Sequence, residues 1–261
     1  MKIIVIANQK GGIGKTTTAT ALASILSENG YHTLLIDADQ QGNSSDTYKA
    51  KIEGMVTLYD VLLDEEPVSL QEAIQSTESG DIVASDPLLR KADEILNSNV
   101  EGLYRLQDAL GELDGYDYVV IDTAPAMNSI LHNCLIAADS VVIPVTADRY
   151  ALQGLAQLNQ IIRAIKKRQN KKLKIAGFLL VKYNARTILS RETKESLENI
   201  AVEMDTKLFD TTIRESTKAK EAQAVRTTLI KYAPNSTTTQ DYVHFVQELL
   251  NSEGVGDIGK E

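Results

Sequence analysis

The sequence predicts an α/β fold, a doubly wound, mostly parallel sheet flanked by helices. Three observations carry that reading. Short apolar runs rich in Val, Ile and Leu recur at 2–7, 33–37, 118–122, 140–145 and 175–181, and stretches with helical spacing lie between them. Two of these runs end in an acid, Asp37 and Asp122, as strands do when their C-terminal edge faces a polar site. No repeat, low-complexity run or linker divides the chain. Residues 1–250 are therefore expected to form one domain, and 251–261 a polar, glycine-rich tail that frays.

The elements follow in order. Lys2-Ile3-Ile4-Val5-Ile6-Ala7 reads as the first strand, and the helical pattern from Thr16 through Glu28 stops at Gly30. Thr33-Leu34-Leu35-Ile36-Asp37 is a second buried strand, followed by a polar loop over 38–45. Within 48–80, Leu58, Val61 and Leu62, then Leu70, Ala73 and Ile74, suggest two short helices separated by Pro67. A strand is expected at 81–84, and amphipathic stretches at 88–96 and 103–113 precede Gly115. Tyr118-Val119-Val120-Ile121-Asp122 is the clearest strand, broken by Thr123-Ala124-Pro125. Beyond it come a helix over 128–138, a strand over 140–145, a long helix over 150–167 and a strand over 175–181. The helix over 190–204 takes Ser190 as its N-cap with Thr193 beneath. Leu208-Phe209 begins a short last strand, and 236–250 forms the final helix.

Between the first strand and the first helix lies Gln9-Lys10-Gly11-Gly12-Ile13-Gly14-Lys15-Thr16-Thr17. Strand, glycine loop and helix is the setting in which a phosphate-binding loop has a physical meaning. The loop turns successive N–H groups toward one point, and the helix start adds the positive end of its dipole. Gly11, Gly12 and Gly14 let the backbone approach where a Cβ would obstruct a phosphate. Lys15 is placed to reach the terminal phosphates and Thr16 to sit on Mg²⁺. The usual pattern G-x-x-x-x-G-K-[ST] is departed from twice: its first glycine is Gln9, and a second lysine, Lys10, enters the loop.

Lys-Gly-Gly-Ile-Gly-Lys-Thr over 10–16 resembles the deviant Walker A loop of the ParA/MinD ATPases. Ile36-Asp37-Ala38-Asp39-Gln40-Gln41-Gly42-Asn43 is similar to that family's D-x-D-P-Q-G-N motif, with Gln40 in place of the proline. Asp122-Thr123-Ala124-Pro125 resembles the D-x-x-P stretch after its Walker B strand, and 140–145 with 150–155 resembles its next signature. Tyr183-Asn184-Ala185-Arg186-Thr187 resembles Y-D-x-R-T with Asn184 for Asp, and Arg214-Glu215-Ser216 stands where Pro-Arg-Asn often follows. The likeness spans residues 2 to 250 and softens toward the C-terminus.

The resemblance implies a P-loop NTPase of the deviant Walker type that uses ATP and Mg²⁺. Lys15 and residues 11–17, including Ile13 and Thr17, would hold the phosphates, and Thr16, Asp37 and Asp122 would serve the metal. Asp39 would position the attacking water, and Asn184 and Arg214 would lie by the adenine. Lys10 would reach the nucleotide of a second copy, so that ATP joins a homodimer and hydrolysis releases it. Lys10, Lys15 and Asp39 are thus the expected catalytic residues.

Charge and composition narrow the relatives. The net charge is −9, but residues 163–231 carry 17 Lys and Arg against 8 Asp and Glu. Lys166 and Lys167, then Lys218, Lys220 and Arg226, are candidates for phosphate contacts with non-specific double-stranded DNA, and ordinary solvated helices are the alternative. One cysteine, Cys134, rules out an internal disulfide or a cluster site within one chain and reads as a core thiol. His32, His132 and His244 stand in no ligand or triad spacing. No apolar run approaches the roughly 18 residues that cross a bilayer, and no leader is visible. The tail is acidic and glycine-broken where MinD-type proteins end in a basic amphipathic helix, so no membrane partner is expected. Short, Soj-like ParA proteins without an N-terminal helix-turn-helix fit best. The expected role is DNA partition with a ParB-like centromere-binding partner, in the cytoplasm and on the nucleoid. A dethiobiotin-synthetase-like ligase and an ATPase that positions a non-DNA cargo remain as alternatives.

Overall fold

A computed structural model describes residues 1–63, 68–96, 101–148 and 154–254. In chain order, β1 (Lys2–Ile6), α1 (Lys15–Glu28), β2 (Thr33–Ala38), α2 (Asn43–Thr47) and α3 (Leu58–Leu63) lead to β3 (Ile74–Thr77) and β4 (Gly80–Val83). Next come α4 (Ala92–Leu96), α5 (Arg105–Gly111), β5 (Tyr118–Thr123), α6 (Ser129–Ala137), β6 (Ser140–Thr146) and α7 (Leu155–Arg168). The chain continues through β7 (Lys174–Tyr183), α8 (Ile188–Glu203), β8 (Ile213–Arg214), α9 (Lys218–Ala224), α10 (Leu229–Tyr232) and α11 (Thr237–Ser252).

The strands form one sheet in the order β3-β4-β2-β5-β1-β6-β7-β8. Every pair is parallel except the β3–β4 hairpin. Successive side chains of a strand face opposite ways. Ile3, Val5, Val119, Ile121, Val141 and Ile143 therefore join one core, and Ile4, Ile6, Val120 and Val142 the other. Helices α3 to α8 contribute to the first layer, and α1, α10 and α11 to the second. Full burial of each Val, Ile or Leu side chain is worth about 1.5–3 kcal/mol, which makes strands buried on both faces the rigid part of the molecule. The strand order reverses at β1, where β5 and β6 flank it, so a crevice opens at its C-terminal end.

Local chemistry sets the ends of the elements. α1 closes in a Schellman motif: Gly30, at φ +84°, donates to Ser27 O at 3.0 Å, and Tyr31 N reaches Leu26 O at 3.2 Å. Pro144 is tolerated in β6 because β1 pairs only with Ser140–Val142, leaving the proline beyond that ladder.

Several expectations change. Ile74 belongs to a strand, not a helix: a helical turn over Leu70–Ala73 runs straight into β3. The cap of α8 is Thr187, whose hydroxyl accepts from Ser190 N at 3.2 Å; Ser190 lies inside the first turn. Leu208 makes only an isolated bridge with Phe178, and the last strand is Ile213–Arg214. Pro67, residues 149–153 at the expected start of the long helix, and 255–261 of the tail lie outside the described residues.

Candidate nucleotide site

The end of β1 fixes the glycine loop. Asn8 Nδ2 donates to Pro144 O at 2.7 Å, and its Oδ1 accepts from Lys10 N at 3.1 Å. Gly12 and Gly14 take φ of +70° and +97°, which only glycine adopts without strain. Gly14 is the N-cap of α1 and brings no side chain to it, so the first N–H groups of the helix are left for a ligand. Ile13 is buried and anchors the loop. Lys15 is 6% exposed and donates to Lys10 O at 3.0 Å. Burial lowers its pKa, opposed by the charges of Asp122 and Asp39. Lys10 turns the other way, and its Nζ pairs with Asp148, just past β6.

Three acids stand behind the loop. Asp37 and Asp122 are register partners on β2 and β5, and Ile6, the last residue of β1, is the other partner of Asp122. Both carboxylates are fully buried. Asp37 Oδ2 accepts from Ser45 N and Oγ at 2.7 and 2.8 Å, and its Oδ1 from Asp39 N at 3.2 Å. Asp122 Oδ2 accepts from Ser44 Oγ at 2.8 Å, whereas its Oδ1 is buried without a hydrogen-bond partner. Burial, and then the neighbouring Asp122 charge, raise the pKa of Asp37. Burial likewise raises that of Asp122, with the Thr16 and Ser44 hydroxyls drawing it down. Asp39 is 6% exposed, and its Oδ1 accepts from Gln41 N at 3.0 Å.

A bare buried carboxylate oxygen beside a hydroxyl and a second acid fits a hard divalent cation. Among the described residues no cluster of three or more His, Cys, Asp or Glu could hold a metal alone. The donor set therefore suits an ion that is also bound by ligand phosphates, as Mg²⁺ is.

The loop opens into a cavity of about 610 Å³. At one end lie residues 11–17 and Asp39; at the other Val181, Ile213, Ala219 and Tyr242 give an apolar wall. Arg214 lines it and is forked onto Asp241 at 2.9 and 2.6 Å. Asn184 is not in the lining; it shapes the turn before α8, accepting from Arg186 N and Thr187 N, each at 3.1 Å. Lys182 lines the cavity instead, bonded to Gly12 O.

The model of a family described as "AAA domain" matches residues 1–175. A chromosome partitioning protein ParA of Caulobacter vibrioides is 33% identical over 258 residues, covering 97% of this chain and 95% of that protein. The sporulation initiation inhibitor protein Soj of Bacillus subtilis is 35% identical over 252 residues, covering 95% and 98%. The chain belongs to the ParA family. Its fold also matches a solved cobyrinic acid a,c-diamide synthase of Mycobacterium smegmatis with bound ATP analogue and magnesium, at TM-score 0.85 and 27% identity over 99% of this chain and 97% of that one.

In this ParA-family chain the basic candidates do not form one patch. Lys166 and Lys167 end α7, at the N-terminal edge of the sheet, and are exposed. Lys218 and Lys220 begin α9 at the opposite edge, beside the nucleotide cavity, which Lys220 lines. Lys218 pairs with Glu221 at 2.7 Å and Arg226 with Asp46 at 2.7 Å. No sequence motif marks Lys182, Tyr242, Asp148 or the Ser44–Ser45 pair. Only the serines carried a signal, since they follow the second motif directly.

Proposed function

We propose that the chain is a Mg-ATP-dependent ATPase for plasmid or chromosome partition, with residues 1–250 acting as one domain. It dimerises in the ATP state, binds duplex DNA without sequence preference in that state, and hydrolyses ATP when a ParB-like centromere-binding partner stimulates it. The observation that carries the reading is the bare Asp122 Oδ1 in an in-register acid pair, directly behind a loop that bears two lysines.

Lys15 and the N–H groups of residues 11–17 hold the β- and γ-phosphates, with Thr16, Asp37 and Asp122 serving the metal. When bound, Mg²⁺ would neutralise the charge of the phosphates. Asp39, already oriented by Gln41 N, aligns the attacking water. Arg214 bounds the adenine end from the cavity wall, and Asn184 shapes the turn before α8. Lys10 leaves Asp148 to meet the nucleotide of the second copy, whose phosphates neutralise it. Lys166 and Lys167 contact DNA phosphates, joined by Lys218, Lys220 and Arg226 where the dimer exposes them. The protein works in the cytoplasm, on the nucleoid.

A second reading, an ATP-dependent ligase for a small carboxylic acid, draws on the likeness to the diamide synthase. Phosphate release measured with duplex DNA plus the cognate ParB-like protein, against a small carboxylate plus an amine, separates the two. The partition reading predicts weak basal turnover raised by DNA and the partner together. Turnover that needs the small carboxylate would overturn it.

A further inference from the structure

A second hollow, of about 580 Å³, lies against the free edge of β3. Tyr48, Met55 and Ile74 give it apolar walls, and Met55 is 44% exposed. Four cations ring it: Lys49, Lys51, Arg226 and Lys231. Glu78 is the one carboxylate in the lining.

The backbone under two of these cations is unusual. Lys49 follows the C-cap of α2 at φ +55°, and Arg226 follows the C-cap of α9 at φ +53°. That left-handed position is the usual place of glycine, and an L side chain is disfavoured there. Two helices thus end in a basic residue at the strained position, and both line the same hollow. No ion pair holds Lys49 or Lys51 among the described residues. Arg226 is paired with Asp46, and Lys231 donates to Glu78 O.

The occupant follows from edge and charge together. β3 is bonded to β4 on one side only. Beside it the Gln75 side-chain amide is bonded to Lys51 N and O at 2.8 and 2.7 Å, the two contacts a strand's main chain would make. An extended peptide adds to such an edge by main-chain bonds, with alternate side chains turned to the two faces. Here one set would meet Met55 and Ile74 and the other the lysines. The open strand edge and the apolar walls favour a peptide over a nucleic-acid backbone.

The hollow is also joined to the nucleotide site. Ser44 and Ser45, which hold Asp122 and Asp37, begin the five-residue α2, and Tyr48 and Lys49 leave its other end. Ala219, Lys220 and Gln223 of α9 line the nucleotide cavity, and the same segment runs on to Arg226. We propose that this hollow binds an extended acidic segment of a partner protein, and that a carboxylate drawing Arg226 from Asp46 transmits binding to the carboxylate pair through α2. The binding stands by itself; only the transmission rests on the ATPase reading.

The test is fluorescence anisotropy with a short labelled peptide of alternating glutamate and valine, at low salt and without nucleotide. Wild-type protein is expected to bind it, and Lys49→Gly, which relaxes the strained backbone and so keeps the fold, is expected to bind about two- to five-fold more weakly, as is Lys51→Gln. No binding by wild type, or undiminished binding by both variants, overturns the assignment. So does a labelled short duplex that binds and is lost on Lys49→Gly while the peptide stays free. Saturating peptide should change the affinity for a fluorescent ADP analogue several-fold; an unchanged affinity beside normal peptide binding overturns the transmission alone.

Discussion

Lys10 Nζ is paired with the carboxylate of Asp148, which also accepts from Thr146 Oγ1 at 2.6 Å. The extra cation of the phosphate loop is therefore held by a residue just past β6 of its own chain. Any contact between Lys10 and a second copy has to break that pair first. Both side chains are 37% exposed, so the pair is a weak restraint, worth about 0.2–1 kcal/mol. Asp148→Ala is accordingly expected to tighten the ATP-dependent dimer by about two- to five-fold, read as the dimer dissociation constant in sedimentation equilibrium. A weaker dimer would show that Asp148 helps to build the interface.

Asp39→Ala should separate binding from hydrolysis. The Gln41 amide loses its acceptor, but residues 11–17 keep their geometry. Phosphate release is expected to fall by about 10²- to 10⁴-fold while affinity for a fluorescent ATP analogue changes by less than about three-fold. Equal losses in both would place Asp39 in ground-state binding.

The buried acids make a pH signature in the protein freed of metal and nucleotide. Burial pushes Asp37 up to about 7 and Asp122 up to about 6. In the unfolded chain both titrate near about 4. Below that pH both states hold the protons and the pair leaves stability unchanged. Between about 4 and about 7 the folded chain keeps protons that the unfolded chain releases, so folding weakens as pH rises. Asp37→Asn keeps an acceptor for Ser45 and removes one titration. In EDTA its urea midpoint should exceed that of wild type more at pH 7.5 than at pH 5. A difference that shrinks as pH rises would contradict the buried-pair account.

DNA binding in the ATP state should be a salt-driven phosphate contact. With about four phosphates neutralised, log K falls with log salt at a slope of roughly −3.6. Replacing Lys166 by Gln, which removes one cation from each protomer of the dimer, should flatten the slope by about 1.8, equally for unrelated sequences. An unchanged slope would move the DNA surface to the α9 side of the molecule.

How legible all this was depends on where the information lies. β1 and β5 declare themselves because central parallel strands are apolar on both faces. The loop does so because glycines and lysines are fixed by a local backbone requirement. β3 stays hidden: Ile74–Thr77 is half-buried at an edge, and its leading residues share an apolar spacing with the turn before it. Ser190 has the residue type of a cap, yet Thr187 three residues earlier fills the role because the chain turns at Asn184. The far wall of the cavity was out of reach for another reason. Thr18 and Tyr242 meet at 3.1 Å although 224 residues apart, and no local pattern encodes that.

The proposed switch requires a triphosphate to join two copies through Lys10. Sedimentation velocity of the wild-type protein with Mg²⁺ and a non-hydrolysable ATP analogue tests it most directly, with ADP and Lys10→Ala as comparisons. A dimer is expected with the analogue, and a monomer with ADP or with Lys10→Ala under either nucleotide. A wild-type protein that remains monomeric when saturated with the analogue, or a Lys10→Ala dimer as stable as wild type, would contradict it.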